Sequence, residues 1–329
     1  MNEKQDDPVA AAIERFFSAF PSGPIGTETV GLAEARGRVL ADDISATIDS
    51  PPFSRALVEG FLVNFKDTEN AGDTAPVTLT VSGTIEVGKT FESAISPGNC
   101  IEVSTGSYVP EGGYAVVRYM DITRTGNVIA VKRPFKKGDF IESAGCEIRM
   151  GDLILKQGTK LSAREIMTLA GQGILNVKVV KRPKVAIFCS GNEIIPSSEP
   201  IKPGHVWDAN SYTLSAQVEE AGGIPVFCGI MKDDSSAFKD ALKSGLDQAD
   251  MAVISGGTAI GGREFIADLI NSVGKPGVVV NGVPMRSGKP LIMGVVENKP
   301  VVCVAGYPPE SLRGFDLFGK PAIERLLGM

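Results

Sequence analysis

Residues 251–274 read MAVISGGTAIGGREFIADLINSVG. An apolar run of strand length, MAVIS, passes into a loop with four glycines and then into a helical pattern, REFIADLINSVG. Glycine lets a backbone bend sharply or come close to a ligand. The same order recurs upstream. KVAIFC (184–189) precedes the helical SYTLSAQVEEAG (211–222), and PVFCGI (225–230) precedes DSSAFKDALKSGLDQ (234–248). Near-continuous apolar strands that alternate with helices imply a mostly parallel sheet covered on both faces, a three-layer α/β/α arrangement. A later strand, KPVVCVAG (299–306), follows a hairpin, and a last helix runs from about Pro321.

The first half reads differently. Residues 7–20, DPVAAAIERFFSAF, form a helical pattern in which Asp7 can cap and Pro8 fits the first turn. Val9, Ile13, Phe16, Phe17 and Phe20 share one face by helical spacing. Between residues 45 and 140, short apolar runs such as VTLTVSGTIEVGKTF (77–91) and GNVIAVKRPF (126–135) alternate with Gly, Pro, Asn and Ser. That is a β-rich composition with turns at short intervals. One helix, SAREIMTLAGQG (162–173), follows it. The expected organisation is a multidomain α/β chain: a helix over 1–26, β-rich linker and arm domains over 27–180, and an α/β domain over 181–329.

Composition narrows the function. The 329 residues carry 33 basic and 39 acidic side chains, a formal charge of -6. That balance argues against nucleic acid, which favours strongly basic faces. The polar start MNEKQDDP is not a signal peptide, and no apolar run is long enough to span a membrane. Five cysteines without a C-x-x-C pair fit a reducing cytoplasm. The single histidine, His205, makes a Ser-His-Asp triad or a His-rich metal site improbable. A metal here would be held by oxygen, which points to magnesium.

In open α/β sheets, ligands bind outside the carboxyl ends of the strands. The stretches found there are SGNE (190–193), MKDD (231–234), SGGTAIGGRE (255–264) and AGYPPES (305–311). Small-residue turns followed by helices expose backbone N–H groups, which makes an anion site. The candidate cradle is Ser190, Gly191 and Asn192, then Ser255, Gly256 and Gly257, and Gly306. Arg286, Gly288 and Lys289 in MRSGKP (285–290) offer two cations to the same anion. Glu193, Asp233 and Glu264 fall on the same rim and repel one another unless a cation sits between them, so they are the candidate metal ligands. Asp233 and Asp234 could also cap the next helix, and Asn210 or Ser211 would cap the helix they begin.

These stretches resemble the molybdopterin molybdenumtransferases, a family that includes the C-terminal domain of gephyrin. The resemblance covers residues 8–329. LAEARGRVLADDISATIDSPPFSRALVEGFLV (32–63) looks like the family segment ending in S-A-M-D-G-Y-A. VSTGSYVPEGGYAVV (103–117), RPKVAIFCSGNEI (182–194), DANSYTLSAQVEEAGG (208–223), ISGGTAIGGREF (254–265), RSGKP (286–290) and VAGYPPESL (304–312) fall on further family motifs in order. The resemblance implies Mg-dependent insertion of molybdate into adenylylated molybdopterin with release of AMP. It also implies a homodimer whose cleft lies between one copy's α/β domain and the other's arm. The carboxylates carried over as catalytic are Glu59, Glu147, Glu193, Asp233 and Glu264.

The chain departs from the family in places. Glu59, Glu147 and Glu264 stand where the family has shorter acids, and Asn192, Tyr114 and Tyr307 replace an Asp, an Asp and an Asn. Cys146 replaces a family acid. The family commonly continues into a small C-terminal β domain, to which residues 1–329 carry no counterpart. Two alternatives stay open: a divergent paralogue that binds a pterin or nucleotide without transferring metal, and a molybdopterin adenylyltransferase of the same fold.

Overall fold

The computed structural model describes residues 7–21, 23–91, 93–232, 235–257, 262–286, 288 and 290–329, with the backbone alone at Ser235, Gly262 and Arg263. The chain divides into two compact units. One joins the segments up to Asp42, Gln157–Ile166 and Asn176–Met329; the other joins Asp43–Lys156 and Met167–Leu175.

The first unit opens with helix α1 (Pro8–Ser18). Asp7 Oδ1 accepts from Val9 N at 2.9 Å, the cap its position predicts. The apolar face of α1 is buried: Phe16 and Phe20 enter the core of this unit. An antiparallel ladder pairs Thr27–Gly31 with Asn176–Val180.

In the second unit six strands form one sheet: β1 (Gly60–Asn64), β2 (Val77–Ile85), β3 (Asn99–Val103), β4 (Tyr114–Arg118), β5 (Ile122–Thr125) and β6 (Val128–Val131). Their order is β4-β1-β3-β2-β6-β5. All neighbours are antiparallel except β2 and β3. Alternate residues supply two cores. Phe61, Val63, Cys100 and Val117 bury on one face; Leu62, Ile101, Val103 and Val116 bury on the other. Tyr114 belongs to the second core, and its Oη accepts from Ile95 N at 3.5 Å.

The charges of this unit are paired. Arg118 Nε and Arg133 Nε donate to the two Asp121 carboxylate oxygens at 2.7 and 3.0 Å. Burial works to raise the Asp121 pKa, but those arginines outweigh it and hold the carboxyl below the usual range. The Tyr119 hydroxyl donates to Glu102, and Arg124 Nη1 does so at 3.0 Å. The Tyr119 bond is the first cause that lowers the Glu102 pKa, and the same bond pushes the Tyr119 hydroxyl up to about 12.

Helix α2 (Ala163–Gly171) leads back to the first unit and its main sheet. That sheet is built from β7 (Lys184–Ser190), α3 (Asn210–Glu220), β8 (Ile224–Met231), α4 (Ser235–Gln248), β9 (Met251–Ser255), α5 (Gly262–Val273), β10 (Pro276–Asn281), β11 (Ile292–Val296) and β12 (Lys299–Val304). Helical segments α6 (Pro308–Gly314) and α7 (Lys320–Leu326) close the chain. The strand order is β8-β7-β9-β12-β11-β10. Strands β8, β7, β9 and β12 are parallel; β11 pairs antiparallel with β12, and β10 pairs antiparallel with β11 and so runs with the other four.

Both faces are covered, which is why the strands read as unbroken apolar runs. Val185, Ile187, Val253 and Val302 bury against Phe16 of α1, Leu214 of α3, Phe315 of the π-helical segment Phe315–Gly319 and Ile323 of α7. Ala186, Phe188, Ile254 and Val301 bury against α4 and α5 residues such as Phe238, Leu242, Ile266 and Ile270. Each large side chain so buried contributes about 1.5–3 kcal/mol. The three-layer, multidomain α/β reading holds.

Candidate functional site

From β7 the chain crosses through α3 to β8 on one side. From β8 it crosses through α4 to β9 on the other side. The carboxyl ends of β7 and β9 therefore flank the topological switch point, where such sheets bind ligands. Cys189 and Ser255 are partners in the last rung between them.

Glycine makes the crevice. Gly256 has φ +95°, and a Cβ there would lie 2.2 Å from the Ser190 carbonyl oxygen. Gly257 follows at φ +66°, where a Cβ would lie 2.9 Å from Ile266 carbons and 3.5 Å from Ser190 Oγ. Only a residue without a side chain lets the β9 loop pass this close over the end of β7. On the other flank, a Cβ on Gly191 would lie 2.8 Å from either carboxylate oxygen of Glu193, so that carboxylate folds over Gly191. The Gly256 N–H donates to Val304 O at 3.2 Å, which ties the glycine loop to β12.

Asn210 fastens the opposite wall. Its Nδ2 donates to Ser255 Oγ at 2.7 Å and to Gly306 O at 2.8 Å, and Ser255 Oγ reaches Ala305 O at 3.3 Å. The expected capping by Asn210 or Ser211 is not what the side chains do. Asp208 Oδ1 accepts from Ser211 N at 3.0 Å, so Asp208 serves the start of α3 and leaves Asn210 free to bridge the strand ends.

At this crevice two buried side-chain polar atoms are left without a partner. They are Ser190 Oγ, in a residue 5% exposed, and Asn210 Oδ1, in a residue 8% exposed. An unpaired buried group costs about 1–3 kcal/mol, a cost that structures keep where a ligand or a moving loop removes it. The thiols beside the crevice offer no alternative chemistry. Burial pushes Cys303 up to about 12 and raises Cys189, with Asp208 adding to the latter, so both stay protonated and poor as nucleophiles or soft-metal ligands.

The sequence-based candidates divide between the two units. Ser190, Gly191, Ser255, Gly256, Gly257 and Gly306 gather around the ends of β7, β9 and β12. Asn192 and Glu193 are exposed in the loop after β7, and Glu264 is exposed on the first turn of α5. The register of β10, β11 and β12 brings the 282–291 connection to the same rim. There Arg286 and Gly288 are exposed in a turn closed by Met285 N to Gly288 O at 2.7 Å. Asp233 and Lys289 lie outside the described residues, as do Asp234 and residues 258–261.

Glu59 and Glu147 belong to the second unit. Both are exposed, and Ser50 Oγ donates to Glu147 Oε2 at 3.1 Å. Among the described residues no three His, Cys, Asp or Glu side chains cluster as a metal cage.

Sequence reasoning missed Asn210 as a bridge. Its signal was the buried, polar first residue of a helix that already had an acid two residues upstream. Tyr307 is exposed at the start of α6, with its carbonyl accepting from Glu310 N and Ser311 N at 3.0 and 2.9 Å.

Residues 8–173 match the family described as the MoeA N-terminal region (domain I and II), and residues 186–325 match a probable molybdopterin binding domain. The chain belongs to the MoeA family. It is 31% identical over 306 residues to the molybdopterin molybdenumtransferase of Nostoc sp. (strain PCC 7120 / SAG 25.82 / UTEX 2576), covering 92% of this chain and 70% of that protein. To the enzyme of the same name from Bacillus subtilis (strain 168) it is 30% identical over 325 residues, 97% of this chain and 75% of that one. A solved MoeA molybdopterin biosynthesis protein from Pyrococcus horikoshii OT3 superposes with a TM-score of 0.84 at 31% identity. That match covers 98% of this chain and 79% of the other. Membership of the MoeA family assigns the chain to molybdenum cofactor biosynthesis, in a family of transferases.

Proposed function

We propose that this MoeA-family chain transfers molybdenum from molybdate to adenylylated molybdopterin, releasing AMP. The observation that carries the reading is the switch-point crevice, where Gly256 and Gly257 bring backbone against Ser190 and leave Ser190 Oγ unpaired. A hydroxyl and a following helix start at one crevice are what an incoming phosphate needs. The arrangement supports a site that binds and orients charge, with no nucleophile of its own.

Magnesium fits the donors at hand. Glu193, in the loop after β7, and Glu264, on the first turn of α5, present hard carboxylate oxygens, and the thiols nearby are buried and protonated. Magnesium is usually bound through one or two carboxylates together with substrate phosphate, so a three-carboxylate cage is not required. Glu193, Glu264 and Asp233 are the residues that would hold it, and when bound it would offset phosphate charge as AMP leaves. Ser190, Gly256, Gly257 and Gly306 would orient the phosphate, while Arg286 and Lys289 would offer it positive charge. The five unpaired cysteines support a cytoplasmic setting.

The reading includes a homodimer with Glu59 and Glu147 of one copy completing the cleft of the other. The exposed Met150, Met167 and Leu175 of the arm-bearing unit support it, because a second copy would cover such apolar surface. One experiment tests both parts. Supply adenylylated molybdopterin, molybdate and magnesium, and measure AMP release by the wild type, by E59Q, by E264Q and by the two variants mixed after subunit exchange. The wild type should turn over and each variant should fall at least about tenfold. The mixture should recover roughly a quarter of wild-type activity, since half its dimers are mixed and each has one intact cleft. No AMP from the wild type refutes the transfer, and no recovery in the mixture refutes the shared cleft.

A further inference from the structure

The amide of Asn210 can sit only one way round. Gly306 O is a carbonyl and can only accept, so the Asn210 nitrogen faces it, at 2.8 Å. The second N–H of that nitrogen goes to Ser255 Oγ at 2.7 Å, which leaves the Ser255 proton for Ala305 O at 3.3 Å. The last residue of β9 is thus joined to both carbonyls of the turn after β12. Gly256 and Gly257 leave directly from this joint, and the Gly256 N–H returns to Val304 O at 3.2 Å. Both crevice loops are therefore tied to a helix residue that belongs to neither.

Asp208 decides where Asn210 stands. Asp208 and Asn210 are buried, and Ala209 between them is exposed. The Asp208 N–H donates to Ile195 O at 2.9 Å, which pins the chain as it enters α3. Asp208 Oδ1 takes the Ser211 N–H at 3.0 Å, one of the donors that the first helical turn leaves without a backbone partner. The buried Cys189 thiol donates to the same carboxylate; burial first, and then the Asp208 charge, keep that thiol protonated. Cys189 is also the rung partner of Ser255 between β7 and β9. The contacts therefore close a ring. It runs from Ser255 to Cys189, on to Asp208 and the start of α3, and back through Asn210 to Ser255.

We propose that Asp208 is a positioning residue for the transfer reaction. By fixing the first turn of α3 it aims the Asn210 amide at Ser255 and Gly306, and so holds the glycine loop and the β12 turn at the spacing a phosphate needs. Neither side chain has to touch the substrate for this. The proposal rests on the reading of the crevice as the phosphate site, and it adds what keeps that crevice in shape.

Two measurements on the full chain test it. Hydrogen exchange over residues 255–257 reads the joint directly. N210D keeps the side-chain volume but cannot donate to Gly306 O. It should quicken exchange there about tenfold, while residues 185–188 of β7 exchange as in the wild type. D208A should do the same. D208N, whose amide oxygen still takes the Ser211 N–H, should stay within about twofold of the wild type. Inorganic pyrophosphate, titrated by calorimetry, then reads the crevice. N210A and D208A should each weaken its binding about tenfold. The double variant should bind no more weakly than N210A alone, since Asp208 acts through Asn210. Additive losses in the double variant overturn the proposal. So does exchange at 255–257 that is indifferent to both positions, or that quickens across β7 as well, as an ordinary core residue would make it. Local quickening beside a wild type that binds no pyrophosphate leaves the joint standing and removes the phosphate reading instead.

Discussion

The two units treat their polar groups in opposite ways. In the second unit, Asp121 is held by two arginines, and Glu102 is held by a tyrosine and an arginine. Those guanidinium groups also stack: Arg118 lies over Phe140, Arg124 over Phe61 and Arg133 over Phe135. At the switch point of the α/β unit, Ser190 Oγ and Asn210 Oδ1 are buried with nothing to bond. The first arrangement spends its polar groups on shape. The second leaves two of them unpaired beside a glycine turn, which supports the binding site proposed there.

That contrast can be broken from either side. The largest expected effect is at Gly256. G256A puts a methyl group 2.2 Å from a backbone oxygen at φ +95°, and neither atom belongs to a flexible side chain. The substitution should cost on the order of 3 kcal/mol by chemical denaturation and abolish pyrophosphate binding. A stable G256A that still binds would mean that the loop does not depend on this close approach.

Next in size is Asp121. D121N removes the charge that two arginines share and should cost about 1 kcal/mol at neutral pH, since both arginines are partly solvated. Because the folded carboxyl is held below its ordinary range, its stabilisation is present above the unfolded value and is lost as pH falls through the folded one. The wild type should therefore lose stability on the acid side, and D121N should show a flatter acid limb. Ligand affinity should not change. If D121N weakened pyrophosphate binding, the separation of structural from functional polarity would fail.

Much of this was legible in the chain. The α/β sheet announced itself because burial on both faces demands unbroken apolar strands, as in VAIFC and MAVI, while the edge strand PVFCGI is apolar but stays partly exposed. Asp7 could be read as a cap because its partner lies two residues away. Asn210 could not be read as a bridge, since its partners Ser255 and Gly306 are 45 and 96 residues distant. Local spacing made it a helix cap, and Asp208 had already taken that role. Tyr114 looked like an altered site residue, and it is a core ring of the second unit. The glycine loop was legible as a close approach, but only the fold shows that it approaches Ser190.

The smallest effect on folding should come with an effect on function, at Glu264. Its side chain is exposed on the first turn of α5, where a carboxylate gains only a few tenths of a kcal/mol from the helix dipole. E264Q should therefore change stability by less than about 0.5 kcal/mol. If Glu264 helps hold magnesium, the same substitution should weaken pyrophosphate binding about tenfold with magnesium present. Without magnesium the two proteins should bind alike, because removing a carboxylate then removes only repulsion. A larger loss without the metal than with it would make Glu264 a helix-start residue. Glu193, folded over Gly191 on the facing loop, would then be the rim carboxylate to test in its place.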